Sequence, residues 1–311
     1  MLDRKYVDFY ARSSKVNLAV AERDVVLTYV LRILSESVLP RLAFKGGTCL
    51  KKVYFGNTGR FSMDLDFTSS GVTLEQLKDG LRQVLDNKTA YGIDFKVIED
   101  HVTTRPVVGG ESYLAVVQYA HSWNSGEFIV EVSYREMPVL PPKEFLLLDE
   151  MYFKYCEVAR FSVMCLQKEE LLAEKLRAAL QRVLSRDLYD LFLFARRPFD
   201  KDLVKKLVVV KCWNVRESFN PEELLSKISS ADYDWDDLQR LVRRGDLPPQ
   251  EIVTRTVIKE YAFLKDLDSQ LLKIVKDSKA HRERRLVERL FSRVLNPSAL
   301  SQANLPKDLL F

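Results

Sequence analysis

Two hydrophobic periods run through this chain, and the places where one gives way to the other outline its architecture. In residues 16–37, Leu27, Val30, Leu31 and Leu34 recur at i, i+3, i+4 and i+7, the spacing of one helical stripe. A short apolar run at 42–44 predicts a strand. Gly46-Gly47 breaks it, and a second helix follows near 48–55. Gly56-Asn57-Thr58-Gly59 has the composition of a turn. Residues 61–68 alternate with period two and predict a strand. A helix over 74–87 follows, then strands over 95–99, 113–119 and 127–134, the last supported by Phe128, Val130 and Val132.

Pro138, Pro141 and Pro142 stop helix and sheet alike, so the best division falls at about residue 142. Beyond it the pattern is almost wholly helical, most clearly over 168–184, 186–195 and 251–275. The reading is therefore α+β: a mixed α/β domain at 1–142, then a helical domain at 143–311.

Composition changes this picture little. With 311 residues, 47% of them hydrophobic, the chain can build a sizeable core. The net charge of +4 is unevenly spread, −2 over 1–150 and +6 over 151–311 by the same count. That bias permits a polyanionic partner in the second half without requiring one. Cys49, Cys156, Cys165 and Cys212 have no metal-binding spacing and read as reduced core thiols. No signal-peptide pattern and no membrane-length apolar run is present, so a cytoplasmic location is expected.

The candidate chemistry lies between Phe44 and Phe67. On a strand, side chains two apart share a face, so Ser62, Asp64 and Asp66 would project together, with Phe61, Met63, Leu65 and Phe67 on the other side. Two adjacent carboxylates repel unless a cation bridges them, and hard oxygen ligands of this kind suit Mg²⁺ or Mn²⁺. A solvated strand face would show the same alternation. The second element is Lys45-Gly46-Gly47-Thr48 between a strand and a helix. Glycines allow close backbone approach, and free N–H groups at a helix start bind an anion. Thr48 would cap the helix or contact a phosphate oxygen. A phosphate cradle about fifteen residues before an acid pair is a specific combination.

Phe44-Lys45-Gly46-Gly47-Thr48 together with Arg60-Phe61-Ser62-Met63-Asp64-Leu65-Asp66-Phe67 resembles the AbiEii/AbiGii-type nucleotidyltransferases. These are the toxins of type IV toxin–antitoxin pairs and belong to the DNA polymerase β superfamily. The resemblance includes Glu22-Arg23-Asp24 before the cradle and continues to about residue 195; Met63 departs from it where an acid is common. It implies a polymerase-β-type domain with a mixed sheet, NTP as substrate, and Asp64 and Asp66 as ligands of the metal. Lys45, Gly46, Gly47, Thr48 and Ser62 would hold the nucleotide. Lys175 and Arg182 match the family's basic motif, and Lys168, Lys175, Arg182 and Arg186 would form one cationic stripe if the helix ran unbroken. Asp190 of Arg186-Asp187-Leu188-Tyr189-Asp190 is the expected functional acid, with Asp187 a helix-start charge. Glu131, alternating with Val130 and Val132, is the candidate third carboxylate; a surface glutamate would fit the pattern equally.

The implied acceptor is RNA, the tRNA 3′ end in particular, and the implied protein partner is a cognate antitoxin. Arg282, Arg285, Arg289 and Arg293 fall on one helical face opposite Leu286 and Leu290, the pattern of an RNA-contacting helix and equally of a solvated one. His101, His121 and His281 have no ligand spacing, so zinc is not expected. Transfer to protein or to a small molecule, or nucleotide binding without transfer, remain the competing readings.

Overall fold

The computed structural model describes residues 2–37, 42–104, 110–155 and 158–291. Its centre is one mixed eight-stranded sheet. The strands are β1 (Leu42–Lys45), β2 (Leu65–Ser69), β3 (Lys88–Ala90), β4 (Ile93–Thr104), β5 (Glu111–His121), β6 (Asn124–Ser133), β7 (Lys143–Leu146) and β8 (Ser162–Cys165). Their spatial order is β3-β4-β5-β6-β2-β1-β8-β7. Strand β2 pairs antiparallel with β1 and parallel with β6, which brings Asp66 beside Lys45 on one side and Glu131 on the other.

The helices expected at 16–37 and 74–87 are α2 (Leu18–Ser35) and α4 (Leu74–Leu85), the latter started by a Thr73–Gln76 capping box. Before the proline cluster, α1 (Arg4–Ser13), whose inner face is Val7, Tyr10 and Ala11, and the short β3 lay outside the sequence reading. The cradle helix starts earlier than expected. It runs as α3 (Gly46–Cys49) and continues as a π-helical turn over Leu50–Phe55.

That π turn buries two consecutive lysines. Lys52 Nζ donates to Asp24 Oδ1 at 2.9 Å, and Lys51 Nζ donates to Glu150 Oε1 at 2.6 Å. Thr28 accepts from Lys52, and the Tyr10 hydroxyl donates to Asp24 Oδ2, so every charge in this cluster has a partner. Burial acts to raise the Asp24 pKa, but Lys51 and Lys52 overcome it and bring it from 3.8 to about 2. A carboxylate depressed on folding adds stability above its unfolded pKa, and that contribution disappears as pH falls through the folded value. Asp24 should therefore contribute about 2 kcal/mol near neutrality, lost between pH 4 and about 2. Urea unfolding of Asp24→Asn across that range checks it: the gap from wild type should close in acid.

The expected division at residue 142 runs through the sheet. Strands β7 and β8 lie beyond the prolines, yet β8 pairs parallel with β1. Glu170 clamps the proline segment by accepting the Val139 and Leu140 amides, each at 2.8 Å. The helices that follow are α5 (Lys168–Gln181), α6 (Ser185–Ala195), α7 (Lys201–Asn214), α8 (Pro221–Ser230), α9 (Trp235–Gln239), α10 (Gln250–Glu260), α11 (Ser269–Asp277) and α12 (Arg284–Leu290). One hydrophobic cluster runs from Leu2 to Phe291 through both parts.

The helix expected over 251–275 is interrupted. Tyr261 leaves α10 to donate its buried hydroxyl to the Leu191 carbonyl, and Asp268 caps a new helix by accepting the Gln270 and Leu271 amides. Cys49, Cys165 and Cys212 are buried free thiols; Cys156 lies outside the described residues. No helix of the described residues is long and apolar enough to cross a membrane.

Candidate active site

A cleft of about 260 Å³ opens between the sheet and helices α5 and α6. Lys45, Gly46, Gly47, Ser62, Asp64, Asp66 and Glu131 line it from the sheet side; Lys175, Arg182, Arg186 and Asp187 line it from the helices. Eight of the eleven expected catalytic and nucleotide-binding residues thus meet Arg182 on one surface. Thr48 and Asp190 do not line it.

The glycines are dictated by what stands against them. Gly46 has φ +74°, and a Cβ there would lie 2.1 Å from Asp66 Oδ2. A Cβ on Gly47 would come within 2.6 Å of the Arg60 guanidinium and 3.0 Å of Ser62 Oγ. Positive φ and the Asp66 carboxylate thus confine position 46 to glycine, and a side chain at position 47 would have to displace the Arg60 guanidinium that Asp190 holds.

The strand itself differs from expectation. It begins at Leu65, so Ser62 and Asp64 precede it and reach the cleft without strand alternation. The reason is local hydrogen bonding. Thr48 Oγ1 donates to the Asp64 carbonyl at 2.5 Å, and the Ile129 amide donates to Asp64 Oδ1 at 3.0 Å, replacing the ladder with side-chain contacts. Thr48 is buried and spent on this bond, which ties the cradle to the acid segment.

Burial, with Glu131 and Asp64 adding repulsion, pushes Asp66 from 3.8 to about 6. Asp64 is also raised, mainly by burial, against the lowering effects of the Ile129 amide, Arg23 and Arg186. Carboxylates crowded in this way favour a cation. Among the described residues no three His, Cys, Asp or Glu side chains are arranged to hold a metal alone. The fit is to an ion that takes one or two carboxylates and completes its shell with substrate phosphates and water.

The helical wall is organised by two aspartates. Arg60 grips Asp190 through two bonds, Nε to Oδ1 at 2.9 Å and Nη2 to Oδ2 at 2.8 Å. Lys175 Nζ lies 2.8 Å from Asp190 and 2.9 Å from Asp187, and Arg182 Nε donates to Asp187 at 2.8 Å. Asp187 lines the cleft, whereas Asp190, 1% exposed, holds Arg60 and Lys175 from behind.

The single cationic stripe does not form. Helix α5 ends at Gln181, Arg182 is extended, and α6 starts afresh at Ser185. Arg182 and Arg186 still reach the cleft, whereas Lys168 donates to the Pro198 carbonyl and lies elsewhere. Arg60, Glu174 and Arg177 had no role assigned from sequence. Arg60 was visible within the acid motif, but Glu174 and Arg177 join Glu136 and Lys211 in a buried network that only the docking of α7 on α5 creates.

Arg282, Arg285 and Arg289 are exposed and away from the cleft lining. Helix α12 begins at Arg284, so Arg282 precedes it and only Arg285 and Arg289 share its face, with Leu286 buried opposite. Arg293 lies outside the described residues.

The chain is similar to solved structures. The nucleotidyltransferase toxin MenT4 from Mycobacterium tuberculosis H37Rv superposes with a TM-score of 0.77 at 28% identity, over 95% of this chain and 100% of that one. JHP933 from Helicobacter pylori gives 0.48 at 17% identity, over 85% and 97%. No curated protein matches in sequence. The model of the family described as nucleotidyl transferase AbiEii toxin, type IV toxin–antitoxin system, matches residues 31–271. With the cradle, the acid pair and the Lys175 wall in one cleft, the chain belongs to the AbiEii nucleotidyltransferase toxins.

Proposed function

We propose that this transferase moves a nucleoside monophosphate from an NTP to the 3′ end of an RNA, tRNA in particular, releasing pyrophosphate with the help of a divalent cation. The observation that carries the reading is the facing of three carboxylates, Asp64, Asp66 and Glu131, by Lys45, Lys175, Arg182 and a glycine cradle across one cleft. Asp64 and Asp66 would hold Mg²⁺ or Mn²⁺, which supplies charge neutralisation at the reacting phosphate. The Gly46 and Gly47 backbone approaches the phosphates, and Lys175 and Arg182 neutralise them without reorganising, since Asp187 already fixes both. Ser62, beside Gly47, lies where it can hydrogen-bond a phosphate oxygen. Glu131 is positioned next to Asp66 to accept the proton of the attacking hydroxyl. The family implies a cognate antitoxin, and growth arrest would follow from blocked tRNA ends.

Incubation with each α-labelled NTP and total RNA, resolved on a gel, tests the reading. Label on tRNA supports it; label on protein or on a small molecule selects another acceptor, and no label anywhere selects a binding module. Lys175→Ala should weaken nucleotide binding or slow transfer by about tenfold or more, the worth of a charged hydrogen bond. Unchanged kcat and KM would return Lys175 to a structural part. The exposed Arg282, Arg285 and Arg289 extend the RNA path in this reading. Changing all three to Gln should reduce the salt slope of RNA affinity by about 0.7 per lost single-strand phosphate contact. An unchanged slope would remove them from the path.

A further inference from the structure

We propose that Lys15, Arg197, Arg243 and Arg244 form a cationic belt beside the cleft that holds the body of the acceptor RNA while its 3′ end reacts inside. The inference rests on the reading that the acceptor is RNA. The belt is built on the 3₁₀ turn Gly56–Thr58, whose chain runs on into Arg60, Ser62 and Asp64 on the cleft surface. Two neighbouring side chains of that turn each hold a cation. Thr58 Oγ1 accepts from Arg197 Nη2 at 2.7 Å, and Asn57 Oδ1 accepts from Arg243 Nη2 at 2.6 Å. Arg244 follows in the same loop and donates through Nη2 to Asn17 Oδ1 at 3.0 Å, while its amide donates to the Lys15 carbonyl at 3.1 Å. This loop is docked on the acid segment itself, since the Phe61 amide donates to the Leu241 carbonyl at 2.8 Å. Just before the loop, Asp237 of α9 meets Arg186, which lines the cleft, at 3.5 Å. Turn, loop and cleft edge are thus one connected surface.

What sets these cations apart is the neutrality of their partners. Lys45, Arg60, Lys175, Arg177 and Arg182 each face a carboxylate that offsets their charge. Arg197 is held by the Tyr54 carbonyl and the face of Phe55, and Arg243 and Arg244 by asparagine oxygens. Among the described residues no carboxylate pairs with these three or with Lys15. Hydrogen bonds to neutral oxygens fix the guanidinium groups and leave their charge for an anion. Lys15 and Arg244 are exposed, and Arg197 and Arg243 partly so. A cleft of about 260 Å³ has room for the reacting groups alone, so the rest of a polynucleotide must lie outside it. A row of fixed, unspent cations suits a chain with one negative charge per nucleotide. The exposed Asn17, Asn57 and Thr58 add groups that can meet phosphate and sugar oxygens. A protein partner would call for an apolar centre, and none of the exposed large apolar side chains lies in this turn or loop.

The test measures two affinities in the same variants by fluorescence anisotropy: a long labelled single-stranded RNA with a free 3′ hydroxyl, and a labelled NTP. Lys15→Gln, Arg243→Gln and Arg244→Gln combined should weaken RNA binding by at least about tenfold and lower the salt slope by about 0.7 for each lost phosphate contact. NTP affinity should stay unchanged. Arg243→Lys with Arg244→Lys keeps every charge and should keep most of the slope. RNA affinity and slope equal to wild type in the glutamine variant, or an equal drop for RNA and NTP, overturns the belt. So does a slope lost equally in the lysine variant, which would trace the effect to structure. Failure of the wild-type enzyme to label RNA would instead refute the proposed reaction, and the two failures are told apart because these affinities are measured without transfer.

Discussion

Asp66→Asn is expected to lower nucleotidyl transfer by at least about a hundredfold, the scale seen when one preorganised electrostatic group is removed. The side chain keeps its shape, so the Gly46 backbone, which leaves no room for a Cβ beside Asp66, meets no added heavy atom. What disappears is a negative ligand between Lys45 and Glu131. The same change should stabilise the metal-free protein. Folding raises the Asp66 pKa from 3.8 to about 6, so the charged form is disfavoured in the folded state and costs stability at pH above 6. Asparagine removes that cost, up to about 3 kcal/mol at pH 7.5, and the gain should shrink as pH falls towards 4. A variant that is inactive and more stable is the signature of a residue kept for chemistry at the expense of folding. Asp64→Asn should also be inactive, although its carboxylate accepts the Ile129 amide and its stability gain should be smaller. Activity near wild type in both variants would remove the acid pair from the mechanism.

Asp190→Asn should have the opposite character, losing stability and activity together. Asp190 is the shared counter-ion of Arg60 and Lys175 in a buried setting, and stranding one member of such a group costs about 3–5 kcal/mol. The consequence reaches the substrate through two residues. Arg60 rests against Gly47 in the cradle, and Lys175 lines the cleft wall proposed for the triphosphate. Denaturant unfolding together with nucleotide KM checks both effects. Asp187→Asn should weaken nucleotide binding while costing less stability, because its partner Arg182 is half exposed. If Asp190→Asn unfolds with wild-type stability, Asp190 is not the buried anchor described here.

These two aspartates show where sequence reading stops. The cradle and the acid pair were legible because the residues concerned lie close together, and Gly-Gly between a strand and a helix has a backbone meaning of its own. Lys175 was legible through its motif. The placement of Asp187 at the cleft with Asp190 behind it was not, since it depends on Arg60, 130 residues away from Asp190, and on the end of α5 at Gln181. Extended backbone at Arg182 breaks the stripe that needed an unbroken helix and places Arg182 against Asp187. Strands β7 and β8 are four residues each, too short for a period to declare itself, yet they complete the sheet beyond the proline cluster. The start of β2 at Leu65 was hidden for a similar reason: the Thr48 and Ile129 bonds to Asp64 override an alternation that otherwise reads as strand.

The central claim is that the cleft transfers a nucleotidyl group from an NTP to RNA. It is tested most directly with one NTP labelled separately at the α and γ phosphates, incubated with tRNA, Mg²⁺ and either the wild-type chain or Asp66→Asn. Wild type should place the α label on the RNA 3′ end and release the γ label as pyrophosphate in equal amount, and Asp66→Asn should do neither. The γ label appearing on RNA or protein, or α label reaching RNA equally well with Asp66→Asn, would contradict it.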